Sequence, residues 1–249
     1  MASNDNLIEL HNVNFSYEVS DFSLKNISIE IPKNKIIAIL GDNGSGKSTL
    51  IKIILGLYNV NSGDVIYNNS RGKMSFSCSF QDYCKYELKI RENIGFGDIS
   101  RIEDDEKIIK HLEITDCKEI LMKSNGNIDN VLGKRFDDNG IELSEGQWER
   151  VANSRTLFND SDIYLFDEPS AKLDPLAELA QFEKIMEHAK SKTTIFVSHR
   201  IGFAKNADYI YVLKNGEITE QGTHSQLLSL KNEYFNMYMN QKKWYLGNK

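Results

Sequence analysis

The amino-acid sequence predicts an α/β fold: a mixed β/α core that begins with three strands and has a helical insertion in its middle. Apolar and β-branched runs fill residues 7–40, which is typical of strands. Helical periodicity with charged faces dominates residues 86–155, and alternating strand and helix patterns return from residue 162. This order indicates a core sheet whose chain is interrupted by a helical insertion.

The first elements are three predicted strands that lead through a glycine-rich turn into a helix. The strands have the sequences "LIELHNVNF", "LKNISIEI" and "KIIAIL". After the turn "GDNGSG" the apolar spacing becomes that of a helix ending near Gly56, with apolar residues at Leu50, Ile51, Ile54, Leu55 and Leu57.

The later elements are predicted from the same periodicities. Two further strands, "GDVIYN" and "KMSFSCSFQ", precede helical patterns over residues 101–123 and 145–159. Beyond them a β/α alternation returns, with strand patterns at residues 162–168, 193–199 and 207–222, a helix at 175–190 and one final amphipathic helix at 223–241.

Composition excludes several classes of function. The 249 residues are 40% hydrophobic, which is ample for a buried core, and a net charge of -6 lacks the basic excess that drives binding to nucleic acid. The longest apolar runs are far shorter than the roughly 20 residues that cross a bilayer, and the N-terminus has no signal-peptide pattern. The cysteines form neither an even framework nor a CxxC pair, which favours a reducing cytosolic setting; they are Cys78, Cys84 and Cys117.

The glycine-rich turn fits the phosphate-binding pattern G-x-x-x-x-G-K-S/T. Its glycines let backbone N–H groups turn toward phosphate oxygens, and the following helix directs its positive N-terminus at the same anion. We expect Lys47 to reach the β- and γ-phosphates and the Ser48 hydroxyl to bind Mg²⁺. The residues expected to bind the nucleotide here are Gly41, Asp42, Asn43, Gly44, Ser45, Gly46, Lys47, Ser48 and Thr49.

Two carboxylates end the strand predicted at residues 162–168. Such a pair is by default a solvated turn, because acidic side chains are mostly exposed. Beside a phosphate loop each has a role: Asp167 holds the Mg²⁺ shell, and Glu168 accepts the proton of an attacking water. The phosphate loop makes the second interpretation the favoured one.

Three further side chains are candidates whose roles depend on their placement. His199 ends a predicted strand, where a histidine usually packs or caps, but beside the strand of Glu168 it would contact the γ-phosphate. Gln81 is a surface residue by default and a metal and water contact if its strand points into the site. Tyr17 is by default a half-buried strand aromatic, and its alternative role is to stack on the adenine ring.

The segment "LSEGQ", residues 143–147, has the pattern of a helix start that binds an anion. Ser144 is the predicted N-cap, and Gly146 permits close approach of the backbone. The simpler interpretation is a capped helix. Because one nucleotide already has a complete phosphate loop, a second such helix start suggests that it serves a nucleotide held by another molecule.

Taken in order, these motifs resemble the nucleotide-binding domain of an ABC transporter over residues 7–241. The resemblance implies an α/β fold with a P-loop NTPase (RecA-like) core, an N-terminal antiparallel β-subdomain and an inserted α-helical subdomain. It also implies ATP and Mg²⁺ as cofactors, and a head-to-tail dimer with each ATP between the phosphate loop of one copy and the "LSEGQ" of the other. The implied roles are adenine stacking for Tyr17; phosphate and Mg²⁺ contacts for Lys47, Ser48 and Thr49; Mg²⁺, water and coupling for Gln81; γ-phosphate binding in trans for Ser144, Gly146 and Gln147; the general base for Glu168; a γ-phosphate contact for His199; and communication across the dimer for Asp174.

One residue departs from the family pattern. Glu145 stands where a glycine is commoner, at a position that varies within the family. A carboxylate near a bound triphosphate is expected to weaken closure, and the resemblance leaves its effect on the ATPase rate open. The resemblance also implies one ATPase domain over residues 1–249, with an ATP-binding core at 1–85 and 156–249 and a helical signature subdomain at 86–155.

The flanking sequences are similar to exporters, and among them to bacterial peptide and lantibiotic exporters. They include "KIRENIGFG", "GKRFDDNG" and the closing "YFNMYMNQ". The resemblance therefore implies a motor at the cytoplasmic face of the membrane, a homodimeric partner domain, transmembrane helices on the same native chain and a cargo class that includes peptides. We expect an excised domain, since the chain starts six residues before the first predicted strand.

Three alternatives stay open. An importer has a separate ATPase subunit of similar size, and a soluble ABC protein that acts on DNA ends or ribosomes shares the cassette. Residues 86–143 leave no room for the long coiled-coil insertion or second cassette of that soluble class. An inactive regulatory cassette is disfavoured because Glu168 and His199 are both present.

Overall fold

A computed structural model of the chain describes residues 5–18, 22–69, 72–168 and 175–246, with the side chains of residues 179–241 in the last range. The backbone divides into two compact units. The first is formed by Met1–Phe76 and Lys190–Lys249, and the second by Ser77–Ala189.

The predicted strands and helical segments follow one another along the chain in the predicted order. The strands are β1 (Asn6–Ser16), β2 (Ser23–Pro32), β3 (Ile36–Leu40), β4 (Ser62–Tyr67), β5 (Phe76–Ser79), β6 (Ile163–Asp167), β7 (Thr193–Ser198), β8 (Tyr209–Lys214) and β9 (Glu217–Gly222). The helices are α1 (Lys47–Ile54), α2 (Ile90–Gly95), α3 (Asp105–Ile114), α4 (Lys118–Lys123), α5 (Glu145–Phe158), α6 (Pro175–Ala189), α7 (Ile201–Ala204), α8 (His224–Leu230) and α9 (Glu233–Leu246), with a short 3-10 turn at Ile99–Arg101.

Two groups of paired strands form the first unit. One is an antiparallel sheet in the order β2-β1-β4. In the other the order is β7-β3-β8-β9, in which β3 runs parallel to β7 and β8 and β9 is antiparallel. Every residue of β3 and β7 is buried, as expected for parallel strands covered on both faces. The loop that follows β3 therefore starts from a rigid, fully buried strand.

The second unit packs its helices around an apolar cluster centred on α5. The cluster contains Ile90, Ile94, Ile108, Leu112, Cys117, Ile120, Ile128, Leu132, Ile141, Trp148, Val151 and Phe158. The Arg91 guanidinium pairs with Asp129 and Asp105, each at 2.8 Å, and these hydrogen bonds raise the arginine pKa. Within the described part of the chain, no helix combines the length and hydrophobicity needed to cross a membrane.

The prediction of one final helix over residues 223–241 is wrong, because α8 and α9 are separate helices. Lys231 lies between them in the left-handed region, with φ of 56°, which ends α8. The buried Glu220 carboxylate then accepts hydrogen bonds from the backbone N–H groups of Glu233 (3.1 Å) and Tyr234 (2.8 Å) at the start of α9. The helical pattern over residues 101–123 likewise contains two helices, with Asp116 between them at φ of 63°.

A buried histidine joins α3 to the end of α5. The Nδ1 atom of His111 lies 2.7 Å from the Lys107 carbonyl oxygen, so Nδ1 carries the proton and donates. The ring packs edge-on against Phe158 and His188 at centroid distances of 5.6 and 5.4 Å. Burial lowers the pKa of His111 to about 4. His111 is therefore neutral in the folded protein at physiological pH.

We expect His111 to make the free energy of unfolding depend on pH. The unfolded chain protonates this histidine below its ordinary pKa of about 6.5, while the folded chain resists until about pH 4. More protons are then bound in the unfolded state, so stability is lost as pH falls through this window. Urea unfolding of the parent and of His111→Gln at pH 7 and pH 5 should show a smaller loss for the variant. Equal losses would contradict the assignment.

Candidate active site

The phosphate loop connects the buried strand β3 to α1. Gly44 and Gly46 have φ of 80° and 108°, which side-chain-bearing residues rarely adopt. A Cβ at Gly41 would lie 2.2 Å from the Leu213 carbonyl oxygen of β8, and one at Gly46 would lie 2.6 Å from the Phe22 ring. Dihedral angle and close packing therefore both explain the glycines of the motif.

The Lys47 ammonium group lies inside this loop. Lys47 is the first residue of α1 and is 7% exposed. Its ammonium donates hydrogen bonds to the carbonyl oxygens of Gly41 (2.8 Å) and Asp42 (2.9 Å). Ser45 Oγ is buried beside Gly41 and has no hydrogen-bond partner among the described residues. A buried cation, a buried hydroxyl and an open loop backbone fit the oxygens of a phosphate group.

Tyr17 lies beside α1 in a small aromatic cluster. Its hydroxyl is 3.0 Å from Thr49 Oγ1, which is within hydrogen-bond distance. Its ring contacts those of Phe15 and Tyr58 edge-on, at centroid distances of 5.0 and 5.8 Å. The structure thus brings two predicted nucleotide-binding residues, Tyr17 and Thr49, into contact.

His199 follows β7 and is held by a residue that the sequence motifs do not include. The Gln241 amide of α9 donates to the His199 carbonyl oxygen at 2.6 Å and accepts from the Ile201 backbone N–H at 2.8 Å. It fixes the backbone on both sides of Arg200. No local pattern reveals this role, because the partners are 42 and 40 residues apart in the chain.

The two predicted carboxylates lie at the end of β6 in the second unit. Asp167 is 7% exposed, and Glu168 is half-buried with φ of 52°. A left-handed conformation is uncommon outside glycine and costs about 1–3 kcal/mol, so the backbone of Glu168 is held in place by its surroundings. Gln81 is exposed in the turn after β5. Asp174 lies outside the described residues.

The segment "LSEGQ" begins α5 with a capping box. The Gln147 backbone N–H donates to Ser144 Oγ at 3.3 Å, and the Ser144 N–H donates to Gln147 Oε1 at 3.0 Å. The Gln147 amide also donates to Glu119 at 2.8 Å. The Ser144 hydroxyl is exposed and retains its own O–H for a further acceptor. The Gln147 side chain is thus engaged within its own unit, and its predicted contact with a γ-phosphate stays a prediction.

Two residues after Gln81 also contact this helix start. The Tyr83 hydroxyl donates to the Glu145 carbonyl oxygen at 2.9 Å, and the Lys85 ammonium forms an ion pair with the Glu145 carboxylate. The sequence motifs predicted a role for neither Tyr83 nor Lys85. The signal for Lys85 is its positive charge, which can pair with the unusual Glu145. Within the second unit, the segment after Gln81 and the start of α5 are therefore joined.

Comparison with known proteins supports these assignments at the level of the family. The sequence matches the ABC transporter family over residues 24–171. The nisin transport ATP-binding protein NisT of Lactococcus lactis subsp. lactis is 39% identical over 94% of this chain and 40% of its own length. The subtilin transport ATP-binding protein SpaT of Bacillus subtilis is 39% identical over 89% of this chain and 37% of its own. The chain thus spans about two fifths of these relatives.

A solved structure described as a bacterial Atm1-family ABC exporter with ATP bound has the same fold. Its TM-score is 0.81 at 26% identity, covering 97% of this chain and 42% of that one. The predicted α/β P-loop NTPase fold is therefore confirmed, as is the similarity to exporter domains. The division at residues 86 and 155 stays a prediction, as do the individual roles of the site residues.

We expect Lys47→Ala to abolish nucleotide binding. Each hydrogen bond from the ammonium to a phosphate oxygen contributes about 1.5–3 kcal/mol, so the loss of two such bonds should weaken ATP binding at least about a hundredfold. Calorimetric titration with ATP measures the loss. Lys33→Ala, an exposed lysine between β2 and β3, is the matched control and should bind like the parent. ATP affinity unchanged in a folded Lys47→Ala protein would contradict the phosphate-loop assignment.

Proposed function

The chain belongs to the ABC transporter family, and on that premise we propose that it is the ATP-hydrolysing motor domain of an exporter. The observation that carries the proposal is the Lys47 ammonium, buried inside a glycine loop at the end of a buried strand. A cation held in this way by two carbonyl oxygens is arranged to exchange them for phosphate oxygens.

The bound nucleotide is proposed to be ATP with Mg²⁺. Tyr17 stacks on the adenine, and the backbone from Gly41 to Gly46 surrounds the phosphates. Ser48, Gln81 and Asp167 are the residues that would hold Mg²⁺, which when bound neutralises charge on the β- and γ-phosphates. The chain itself supplies the positive charge of Lys47 and the positive end of α1.

Hydrolysis is proposed to use Glu168 as the general base. Its carboxylate accepts a proton from the water whose oxygen attacks the γ-phosphorus, while the bond from that phosphorus to the β-phosphate oxygen breaks and ADP leaves. The buried strand β6 and the left-handed backbone of Glu168 support this role. His199 contacts the γ-phosphate, with its backbone held by Gln241.

A second copy of this domain is proposed to complete each ATP site. In the capping box of α5 the Ser144 side chain already accepts the Gln147 N–H, so the helix start is preorganised before a ligand arrives. Ser144, Gly146 and Gln147 are then the groups that face the γ-phosphate bound by the partner. Asp174 is proposed to communicate across the dimer.

The direction of transport is inferred from relatives. The names of NisT and SpaT describe transport of nisin and subtilin, and both proteins are much longer than this chain. We therefore propose an exporter whose transmembrane domain is on the same native polypeptide and whose cargo includes peptides. The ATPase domain would lie at the cytoplasmic face of the membrane. The importer alternative is not favoured, because the similar structure is an exporter.

We expect Glu168→Gln to trap the ATP-bound dimer. The amide keeps the shape of the side chain but accepts no proton, so hydrolysis should slow by about 10²–10⁴ while binding persists. Gel filtration with ATP and Mg²⁺ measures the dimer, and phosphate release measures the rate.

Glu113→Gln, an exposed carboxylate on α3, is the control and should hydrolyse at the parental rate. If Glu168→Gln stays monomeric with ATP and Mg²⁺ and hydrolyses at the parental rate, Glu168 is not the base.

A further inference from the structure

We propose that Lys85 is a positioning residue that neutralises Glu145, so that the start of α5 accepts the triphosphate of a partner domain. The inference rests on the proposed function, since it concerns the half-site that this chain offers to a second copy. It explains how a chain with a glutamate inside this segment keeps the segment usable for an anion.

The position of Glu145 creates a specific electrostatic problem. It is the first residue of α5, directly between Ser144 and Gly146. The N-terminus of a helix attracts one negative group, and an acidic side chain in the first turn satisfies it. The Glu145 carboxylate and an incoming phosphate therefore compete for the same positive helix end.

The structure supplies a cation for this carboxylate. Lys85 Nζ pairs with Glu145 Oε1, and the side chains are 40% and 53% exposed. The pair withdraws the carboxylate toward the segment after Gln81 and cancels its charge. Because both groups are exposed, the pair adds little to stability, so its effect should be found in anion binding rather than in folding.

The backbone of the same residue is held from the same side. The Tyr83 hydroxyl donates to the Glu145 carbonyl oxygen at 2.9 Å. Two contacts, one from a hydroxyl and one from an ammonium, thus join residues 83–85 to the first turn of α5. A displacement of the segment after Gln81 would therefore change the position of the phosphate-facing end of α5.

The test compares Lys85→Met, Glu145→Gln and the double variant K85M/E145Q with the parent. In Lys85→Met the Glu145 carboxylate loses this ammonium, so the ATP concentration for half-maximal dimerisation and the KM for ATP should rise about two- to fivefold, in proportion to the free energy of an exposed ion pair. The kcat should change little. The double variant should return to parental values, and Glu145→Gln alone should bind at least as well as the parent.

Two controls separate electrostatics from folding. Lys89→Met removes another exposed ion pair of the same unit, with Asp129, and should leave ATP dependence unchanged. The Lys85→Met defect should shrink when the salt concentration rises from about 0.05 to 0.5 M, because exposed charges are screened. Thermal melts establish that all variants are folded.

The outcomes discriminate clearly. Parental ATP dependence in a folded Lys85→Met protein overturns the inference, and so does a double variant that stays as defective as Lys85→Met. In both cases a parent that dimerises with ATP and hydrolyses it leaves the proposed function standing. A parent that binds ATP but neither dimerises nor hydrolyses overturns the proposed function and this inference together.

Discussion

The site depends on how closely the backbone of the phosphate loop approaches its neighbours. Gly216, in the turn between β8 and β9, donates its N–H to the Ser45 carbonyl oxygen at 3.0 Å and accepts from the Lys25 N–H at 2.8 Å. A Cβ at Gly216 would lie 2.0 Å from the Ser23 carbonyl oxygen. One glycine therefore ties the loop to the antiparallel sheet, and its backbone can approach that sheet so closely only because it carries no side chain.

Because the loop is anchored, the charge of Lys47 is held in one position. A lysine in a mobile loop would spread its charge over many conformations, whereas Lys47 is held by two carbonyl oxygens of an anchored turn. The ligand then meets a preformed site and loses less free energy to ordering. The hydroxyl of Ser45, buried without a partner among the described residues, fits a loop shaped to hold a phosphate group.

The sequence could predict those features whose cause is local. The phosphate loop is fixed by glycines and a lysine within eight residues, and the capped start of α5 by Ser144 and Gln147, three apart. The sequence could not predict the end of α8, because the apolar period continues through Lys231. The start of the next helix, α9, is capped by Glu220 of strand β9. Contacts between residues far apart in sequence leave no mark on periodicity.

Separation along the chain also hides the positioning residues from sequence patterns. Gln241 is 42 residues from His199, and Lys85 is 60 from Glu145, so each pair is visible only in the folded unit. Motifs identify the groups that touch a ligand, since the chemistry of the ligand limits the choice of those residues. The choice of a positioning residue is limited only by the local geometry, because any hydrogen-bond donor or cation that is long enough to make the contact can fill the role. A family motif can therefore carry an unusual glutamate when a neighbouring segment provides its counter-charge.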